Sequence, residues 1–453
     1  MHITPIPHPL SATVRVPGSK SLTNRALLIA SLADGTTRLT NALFSDDSRY
    51  FARALQTLGF DIQLDEANHE MTVTGLGGKI PAKNAELFIG NAGTAARFLS
   101  AFLTLGHGEY ILDGEPRMRE RPIGDLVDSL AQLGAKIEAM QNAEGGMQNS
   151  EICPPVKIIA SGLPGGKTKM AGDISSQFLS ALLMVAPYAK SPIEITLSTE
   201  LNSKPYVDMT ISIMNDFGVE VQRNDYQSFA VPITNYQLPI NLQSLISNPQ
   251  SPISTSYSIE SDASAASYFF AAPAICGGTV KVENISRRSI QGDIAFVDVL
   301  AKMGCTVQET DNPSTSLRAG CILVTGHSHL QGIDIDMRDI PDTAQTLAAI
   351  APFADSPTRI RGIASARVKE TDRVHATCAE LTRLGVRVEE HEDGMTIHPV
   401  EKMRPAVIQT YNDHRMAMAF SLIGLRFDGV TIENPSCVSK TFPNFFEVLE
   451  TLR

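Results

Sequence analysis

The stretch VPGSKSLTNR, residues 16–25, combines a glycine, a lysine and a hydroxyl in an order that suits phosphate binding. Spacing excludes a nucleotide P-loop, because that motif needs glycine directly before the lysine and another glycine five residues earlier. Here Ser19 precedes Lys20, and Val14 occupies the earlier position. The pattern instead predicts a strand end, a turn at Pro17-Gly18 and a helix whose N-terminus, at Lys20, would attract anions. An ordinary helix cap followed by a solvated lysine is the alternative interpretation.

A second stretch, KETDR at residues 369–373, places a carboxylate between cations. Nearby cations favour the ionised form of Glu370, whereas a proton donor must be protonated, and the sequence leaves open which effect wins. The same residues could instead form i,i+3 and i,i+4 pairs at a solvated helix start. Asp413 and Asp262 are interpreted as helix caps.

The elements that must position these residues recur along the chain. An amphipathic helix that ends in glycine and leads into a short strand occurs five times, with a truncated copy, FFEVLETLR, at the C-terminus. The glycines, which suit left-handed helix caps, are Gly59, Gly134, Gly218, Gly304 and Gly385. These helices alternate with helices rich in Ala, Ser and Leu, which are apolar almost all round and are therefore expected to be buried. The pattern predicts six strand–helix–strand–helix–strand units of roughly 80 residues.

The starts of the helices share polar and charged side chains. Those at the buried helices are Lys20-Ser21, Asn91 to Thr94, Ser175 to Gln177, Asp262, Asp342 and His414-Arg415. Those before the surface helices are Arg121-Pro122, Ser203 to Tyr206, Lys369 to Arg373 and Lys440-Thr441. One polar cap satisfies a helix start, so the repeated cations predict that several N-termini converge on a cationic cleft for a multiply anionic small molecule.

Length and composition limit the number of domains and the kinds of partner and cofactor that the chain can have. A chain of 453 residues is expected to form two domains or more, here three units each. The net charge of −11 disfavours a nucleic-acid partner. The six cysteines show no C-x-x-C or metal spacing, no dinucleotide motif is present, and the apolar stretches are too short to span a bilayer. Three segments are interpreted as insertions outside the repeat: residues 141–151, 225–258 and 311–320.

Seven stretches in order carry a resemblance to one family. They are VPGSKSLTNRALLIASLADG, GNAGTAARF, GEPRMRERPIGDLVDSL, DISSQFLSALLM, SKPYVDMT, RVKETDR and YNDHRMAMAF. Together they resemble the 5-enolpyruvylshikimate-3-phosphate synthase (3-phosphoshikimate 1-carboxyvinyltransferase) family, from about residue 11 to the C-terminus. The resemblance implies an α/β fold with six βαβαββ units, three per domain, in a two-domain inside-out α/β barrel. It further implies one domain from residues 1–18 and 254–453, another from 19–253, and an active site in the interdomain cleft.

The reaction implied by the resemblance transfers the enolpyruvyl group of phosphoenolpyruvate to the 5-hydroxyl of shikimate 3-phosphate and releases phosphate. Asp342 is the expected base at the hydroxyl, Glu370 the expected proton carrier at the methylene carbon, and Lys20 a contact of both substrates. The residues expected to hold shikimate 3-phosphate are Lys20, Ser21, Arg25, Ser175, Ser176, Gln177, Ser203, Tyr206, Asp342, Ser365 and Lys369. Those expected to hold phosphoenolpyruvate are Lys20, Asn91, Gly93, Thr94, Arg121, Gln177, Arg373, His414, Arg415 and Lys440, with His414 in a supporting role.

The chain departs from the family pattern at two positions. Ser365 stands where the family has asparagine. Because the serine side chain reaches less far, one hydrogen bond to the substrate is expected to change or to be bridged by water. Phe98 stands where many glyphosate-sensitive members have proline, which is expected to shift the helix that carries Gly93. Gly93 itself is retained, and glyphosate is therefore expected to compete with phosphoenolpyruvate.

Two other functions compete with the one that the resemblance implies. UDP-N-acetylglucosamine enolpyruvyl transferases share the implied fold but carry a loop cysteine where this chain has Pro116, which disfavours them. A non-catalytic anion-binding relative would not need both Asp342 and Glu370 in an anion site. The resemblance implies no cofactor, no metal, no membrane partner, a cytoplasmic location and a monomer.

Overall fold

Two compact units make up the chain. The computed structural model describes residues 1–140, 152–239, 255–311 and 320–453. Unit 1 comprises Met1–Pro17 and Glu260–Arg453, and unit 2 comprises Gly18–Ile259. The boundary predicted between residues 253 and 254 and the insertion at 141–151 lie outside the described residues.

Short strands and helices alternate through both units. The strands are β1 Leu10–Arg15, β2 Asp34–Thr40, β3 Asp61–Asp65, β4 Glu70–Leu76, β5 Asn84–Phe88, β6 His107–Asp113, β7 Lys136–Ala139, β8 Val156–Ser161, β9 Gly166–Met170, β10 Ile193–Leu197, β11 Gln222–Asn224, β12 Ser228–Val231, β13 Ser256–Ser258, β14 Gly278–Glu283, β15 Thr306–Asp311, β16 Gly320–Gly326, β17 Asp334–Asp336, β18 Thr358–Arg361, β19 Val388–His391, β20 Gly394–Ile397, β21 Ala406–Ile408 and β22 Val430–Ile432. The helices are α1 Lys20–Leu32, α2 Asp46–Thr57, α3 Gly93–Phe102, α4 Gly124–Gln132, α5 Ser176–Val185, α6 Lys204–Asp216, α7 Ala263–Cys276, α8 Phe296–Lys302, α9 Ala344–Ile350, α10 Arg373–Arg383, α11 His414–Arg426 and α12 Phe445–Glu450.

One sheet topology repeats. In β5-β6-β8-β7 the first pair is parallel and the other two pairs are antiparallel, so each unit runs βαβαββ. Four further sheets have the same order, and the last repeat keeps only the parallel pair β21-β22. In two sheets the first strand comes from a distant segment, since β1 pairs with β14 and β13 with β2. The predicted repeat and the mixed α/β class are confirmed.

The two kinds of helix differ in burial as the sequence predicted. All ten residues of α3 are buried, and α1, α5, α7, α9 and α11 are buried along most of their length. The glycines that end the amphipathic helices all have positive φ angles, from 77° at Gly218 to 103° at Gly304, which only glycine adopts readily. Within the described ranges, no helix has the length and apolar character needed to cross a membrane.

The interpretation of residues 225–258 as an insertion outside the repeat is wrong for its two ends. Strand β12 pairs with β10, and β13 completes the sheet of β2. Between them, the buried Tyr236 donates its hydroxyl to the carbonyl of Met184 at 2.9 Å. These strands were missed because they are short, with four residues in β12 and three in β13. Residues 240–254 lie outside the described ranges, as do 312–319 of the segment predicted at 311–320.

Candidate active site

Arg25 is the buried centre of a group of predicted ligands in unit 2. Helix α1 carries it inward, and only 1% of the residue is exposed. Its Nε donates to Thr210 Oγ1 at 2.7 Å, and its Nη atoms donate to the carbonyls of Ser21 and Tyr206 at 3.0 and 3.3 Å. Its guanidinium also lies 5.3 Å from the ring centre of Phe98. Burial lowers the pKa of Arg25 to about 10, against a smaller opposing effect of Tyr206, so the side chain is still a cation at neutral pH.

Arg121 forms a second cationic position at the start of α3. Its Nη1 donates to the backbone and side-chain oxygens of Asn91 at 3.1 and 3.0 Å. Gly93 opens α3 beside it, and a Cβ there would lie 2.3 Å from Arg121 Nη2 and 2.5 Å from Arg97 Nη1. The absence of a side chain at Gly93 therefore allows two buried guanidinium groups to approach one helix N-terminus, where anions bind.

The serines and Gln177 predicted as ligands lie at two further helix starts. Ser175 caps α5 by accepting from the N–H of Gln177 at 3.3 Å. The Gln177 amide in turn donates to Thr94 Oγ1 at 3.4 Å, which joins the starts of α5 and α3. Ser203 opens α6 in a left-handed conformation with φ 58°, and Tyr206 follows one turn later.

Lys20 starts α1 next to a carboxylate that the sequence did not indicate as functional. Its Nζ lies 3.5 Å from Oδ2 of Asp47, which is buried in the first turn of α2. Ser45 and Ser48 form the capping box that begins α2 and so position Asp47. The charge of Asp47 offsets part of the cost of holding the Lys20 ammonium among buried residues.

In unit 1, Arg373 lies among three carboxylates. Its Nε is 2.7 Å from Oδ2 of Asp413, its Nη2 is 2.7 Å from Oε2 of Glu370, and its Nη1 is 3.2 Å from Oδ1 of Asp342. Burial lowers the pKa of Arg373, but the charges of Asp413, Glu370 and Asp342 raise it by more, so the pKa lies above its ordinary value. Arg373 is therefore fixed as a cation among these carboxylates.

The two predicted catalytic carboxylates each contact a second cation. Arg415 Nη2 is 2.6 Å from Oδ2 of Asp342, and Arg415 Nη1 donates to the Asp342 carbonyl at 3.0 Å. Lys440 Nζ is 3.0 Å from Oε1 of Glu370. The structure thus brings Asp342, Glu370, Arg373, Arg415 and Lys440 together, although they come from four segments of unit 1.

Asp413 has two functions, only one of which the sequence predicted. It caps α11 by accepting from the Arg415 N–H at 2.9 Å, as expected, and it also binds Arg373. A helix cap is recognisable from local sequence, whereas a partner 40 residues away in the chain is not. His414 follows directly, fully buried, with Nδ1 3.6 Å from Oδ1 of Asp413.

Ser365 and Lys369 lie beside this cluster in the chain. Ser365 is half-buried in a short 3-10 helix, Ala364–Val368, and Lys369 ends that helix directly before Glu370. Their contacts with shikimate 3-phosphate remain predictions.

The fold is that of enolpyruvyl transferases. A solved structure of EPSP synthase from Acinetobacter baumannii matches all of this chain and 97% of its own with a TM-score of 0.78 at 25% identity. The enolpyruvyl transferase NikO from Streptomyces tendae shares the fold, with a TM-score of 0.74 over all of this chain and 96% of its own at 17% identity.

Sequence relatives define the family more narrowly. The 3-phosphoshikimate 1-carboxyvinyltransferases of Shewanella denitrificans and Sulfurovum sp. are 48% and 49% identical to this chain, over 98% of it and 97% of their own lengths. Residues 5–449 match the EPSP synthase (3-phosphoshikimate 1-carboxyvinyltransferase) family. The chain belongs to this family, and the predicted resemblance is confirmed.

Proposed function

We propose that this enzyme transfers the enolpyruvyl group of phosphoenolpyruvate to the 5-hydroxyl of shikimate 3-phosphate and releases phosphate. Its family membership supports the reaction. The observation that carries the residue assignments is the placement of Asp342 and Glu370 on two sides of Arg373. Two carboxylates whose positions are fixed by cations are what a reaction with two separate proton transfers requires.

Cationic and polar residues of both units are assigned to the two anionic substrates. The residues proposed for shikimate 3-phosphate are Lys20, Ser21, Arg25, Ser175, Ser176, Gln177, Ser203, Tyr206, Asp342, Ser365 and Lys369. Those proposed for phosphoenolpyruvate are Lys20, Asn91, Gly93, Thr94, Arg121, Gln177, Arg373, His414, Arg415 and Lys440. Arginine suits planar carboxylate and phosphate groups, and lysine supplies a point charge.

The proposed chemistry is an addition followed by an elimination. Asp342 accepts the proton of the 5-hydroxyl as that oxygen attacks C2 of phosphoenolpyruvate, while Glu370 donates a proton to C3, which becomes a methyl group. The C–O bond to phosphate then breaks in the tetrahedral intermediate, the leaving phosphate takes up the proton held by Asp342, and the methyl group returns a proton to Glu370. Glu370 must be protonated before the addition. Lys440 and Arg373, which contact it, stabilise the carboxylate that forms as its proton moves to C3.

Release of inorganic phosphate tests the reaction. Purified protein with phosphoenolpyruvate is expected to release phosphate when shikimate 3-phosphate is added and not when UDP-N-acetylglucosamine is the acceptor. Release only with the nucleotide sugar would assign the rival transferase activity. No release with either acceptor, while both ligands still raise the melting temperature, would indicate a binding protein. Glyphosate is expected to raise the KM for phosphoenolpyruvate.

Substitution of the carboxylates tests their functions. Asp342→Asn and Glu370→Gln are each expected to lower kcat by about 10²- to 10⁴-fold, because each removes one proton-transfer group. Substrate affinities are expected to change much less, as required of groups that act in the transition state. Glu389→Gln is the matched control, since Glu389 pairs with Arg387 on the exposed surface of the same unit. Equal losses of turnover and affinity would argue for binding functions instead.

We further propose that the enzyme is a cytoplasmic monomer. Sedimentation equilibrium with and without both substrates tests the monomer, and a mass twice that of the chain would contradict it.

A further inference from the structure

The turn between β21 and α11 has an unusual backbone. Tyr411 and Asn412 have φ angles of 52° and 53°, so two consecutive residues other than glycine occupy the left-handed region. This conformation is unfavourable for L-residues and persists where the surroundings hold it. Asp413 follows directly. The position of its carboxylate therefore depends on how the turn is held.

The carboxylate of Glu380 holds this turn from helix α10. Glu380 is fully excluded from solvent. Its Oε2 accepts from the backbone N–H of Gln409 at 3.1 Å, and its Oε1 accepts from the hydroxyl of Tyr411 at 2.9 Å. Arg383 Nε, 3.1 Å from Oε2, balances the charge. A buried carboxylate is costly unless its oxygens are paired, and two of the three partners of Glu380 belong to the turn.

Helix α10 thereby contacts the segment 409–413 at two points. Arg373, the first residue of α10, binds Asp413, and Glu380 lies seven residues further along, roughly two helical turns away and on the same face. One rigid helix therefore fixes both ends of the segment that presents Asp413. Asp413 then supports Arg373 through its side chain and Arg415 through the helix cap.

We propose that Glu380 is a positioning residue that sets Asp413 and, through it, the guanidinium groups of Arg373 and Arg415. Glu380 does not itself contact a substrate in this proposal. The inference rests on the proposed function, in which these two arginines hold phosphoenolpyruvate. Loss of the Glu380 contacts should therefore weaken one substrate selectively.

Steady-state kinetics of Glu380→Gln test this selectivity. The KM for phosphoenolpyruvate is expected to rise about tenfold, because small displacements of binding groups have large kinetic effects. The KM for shikimate 3-phosphate is expected to stay within about twofold, since most of its proposed ligands, among them Ser175, Ser203 and Arg25, lie in unit 2 and are untouched. Glu389→Gln is the control. Unchanged KM values, or equal rises for both substrates, would overturn the proposal.

Tyr411→Phe provides a milder variant that keeps the fold, because Tyr411 is 38% exposed and loses only its hydroxyl. It is expected to raise the KM for phosphoenolpyruvate by about threefold, and in the double variant with Glu380→Gln the two effects should not add. Full additivity would mean that Glu380 does not act through this turn.

Amide hydrogen exchange separates this inference from the proposed function, because it needs no substrate. Glu380→Gln is expected to speed exchange across residues 409–415 and to leave residues 175–177 of unit 2 unchanged. Unchanged exchange at 409–415 would overturn the positioning function even if the enzyme releases phosphate as proposed. Faster exchange in a protein that releases no phosphate would leave Glu380 as the support of the turn and refute only the reaction.

Discussion

The predicted ligand arginines of the two units are held in opposite ways. In unit 2, Arg25 and Arg121 donate to hydroxyl, carbonyl and amide oxygens, and no ion pair of either is found among the described residues. In unit 1, Arg373 and Arg415 donate to carboxylates. The residue type is the same, but the charge of its surroundings is different.

This difference distinguishes arginines whose charge is left for a ligand from arginines whose charge also holds carboxylates of the protein. Burial lowers the pKa of Arg25 to about 10, so folding disfavours its charge. Burial also lowers the pKa of Arg373, but three carboxylates raise it by more, so folding favours that charge. A cation without a carboxylate partner is suited to bind an anion alone, whereas a cation shared among carboxylates can position them as well as bind phosphoenolpyruvate.

The largest effect is expected from Arg373→Met. This change leaves Asp342, Glu370 and Asp413 close together without their common partner. The free energy of unfolding is expected to fall by about 5 kcal/mol, because removing one member of a buried ionic group leaves uncompensated charge. Urea unfolding followed by circular dichroism measures it.

Arg361→Met is the matched control for Arg373→Met, since Arg361 forms an exposed pair with Asp334 in the same unit. A loss of at most about 1 kcal/mol is expected there. Similar losses for the two variants would remove the distinction between the units.

The repeat and the residues at the helix starts could be predicted from the sequence. Helix periodicity and glycine caps gave the repeat, because both are local signals, and the motifs indicated the residues at each helix start. The ion pairs could not be predicted, because the partners of Arg373 come from segments as far apart as Asp342 and Asp413. Strand β13 was missed for a related reason, since its partner β2 lies more than 200 residues away.

Other site features have no sequence signal at all. Asp47 resembles any acidic residue in the first turn of a helix, and Glu380 resembles any glutamate of an amphipathic helix. The left-handed conformation of Tyr411 is not expected of a residue other than glycine, asparagine or aspartate. These features depend on tertiary contacts, which local patterns do not specify.

A smaller effect is expected from Gly93→Ala in unit 2. The new methyl group would lie 2.3 Å from Nη2 of Arg121, so the guanidinium must move. The free energy of unfolding is expected to fall by about 1 kcal/mol, and the KM for phosphoenolpyruvate should rise more than that for shikimate 3-phosphate. Thermal unfolding and initial rates measure the two effects.

Gly124→Ala is the matched control for Gly93→Ala. Gly124 is likewise the first residue of a helix, but its added Cβ would have its nearest neighbour at 3.7 Å. Both stability and KM values should stay near those of the original protein. If Gly93→Ala behaved in the same way, the position of Arg121 would not depend on the missing side chain.

The smallest change in stability is expected from Arg25→Met, although Arg25 is as deeply buried as Arg373. Thr210 Oγ1 keeps hydrogen bonds to Ser180 Oγ at 2.8 Å and to the Tyr206 carbonyl at 2.9 Å, so its hydroxyl is not left unsatisfied. The methionine can pack against Phe98, and a buried charge without a carboxylate partner is removed. The free energy of unfolding is therefore expected to change by less than about 1 kcal/mol.

The kcat/KM of the same Arg25→Met variant for shikimate 3-phosphate should nevertheless fall, through a higher KM. A folded protein with weakened substrate binding would show that the charge of Arg25 serves the ligand. A stability loss as large as that of Arg373→Met would show instead that the hydrogen bonds of Arg25 hold unit 2 together. In that case, neutral partners would support a buried guanidinium as well as carboxylates do, and the contrast between the two units would not separate arginines that only bind a substrate from arginines that also position carboxylates.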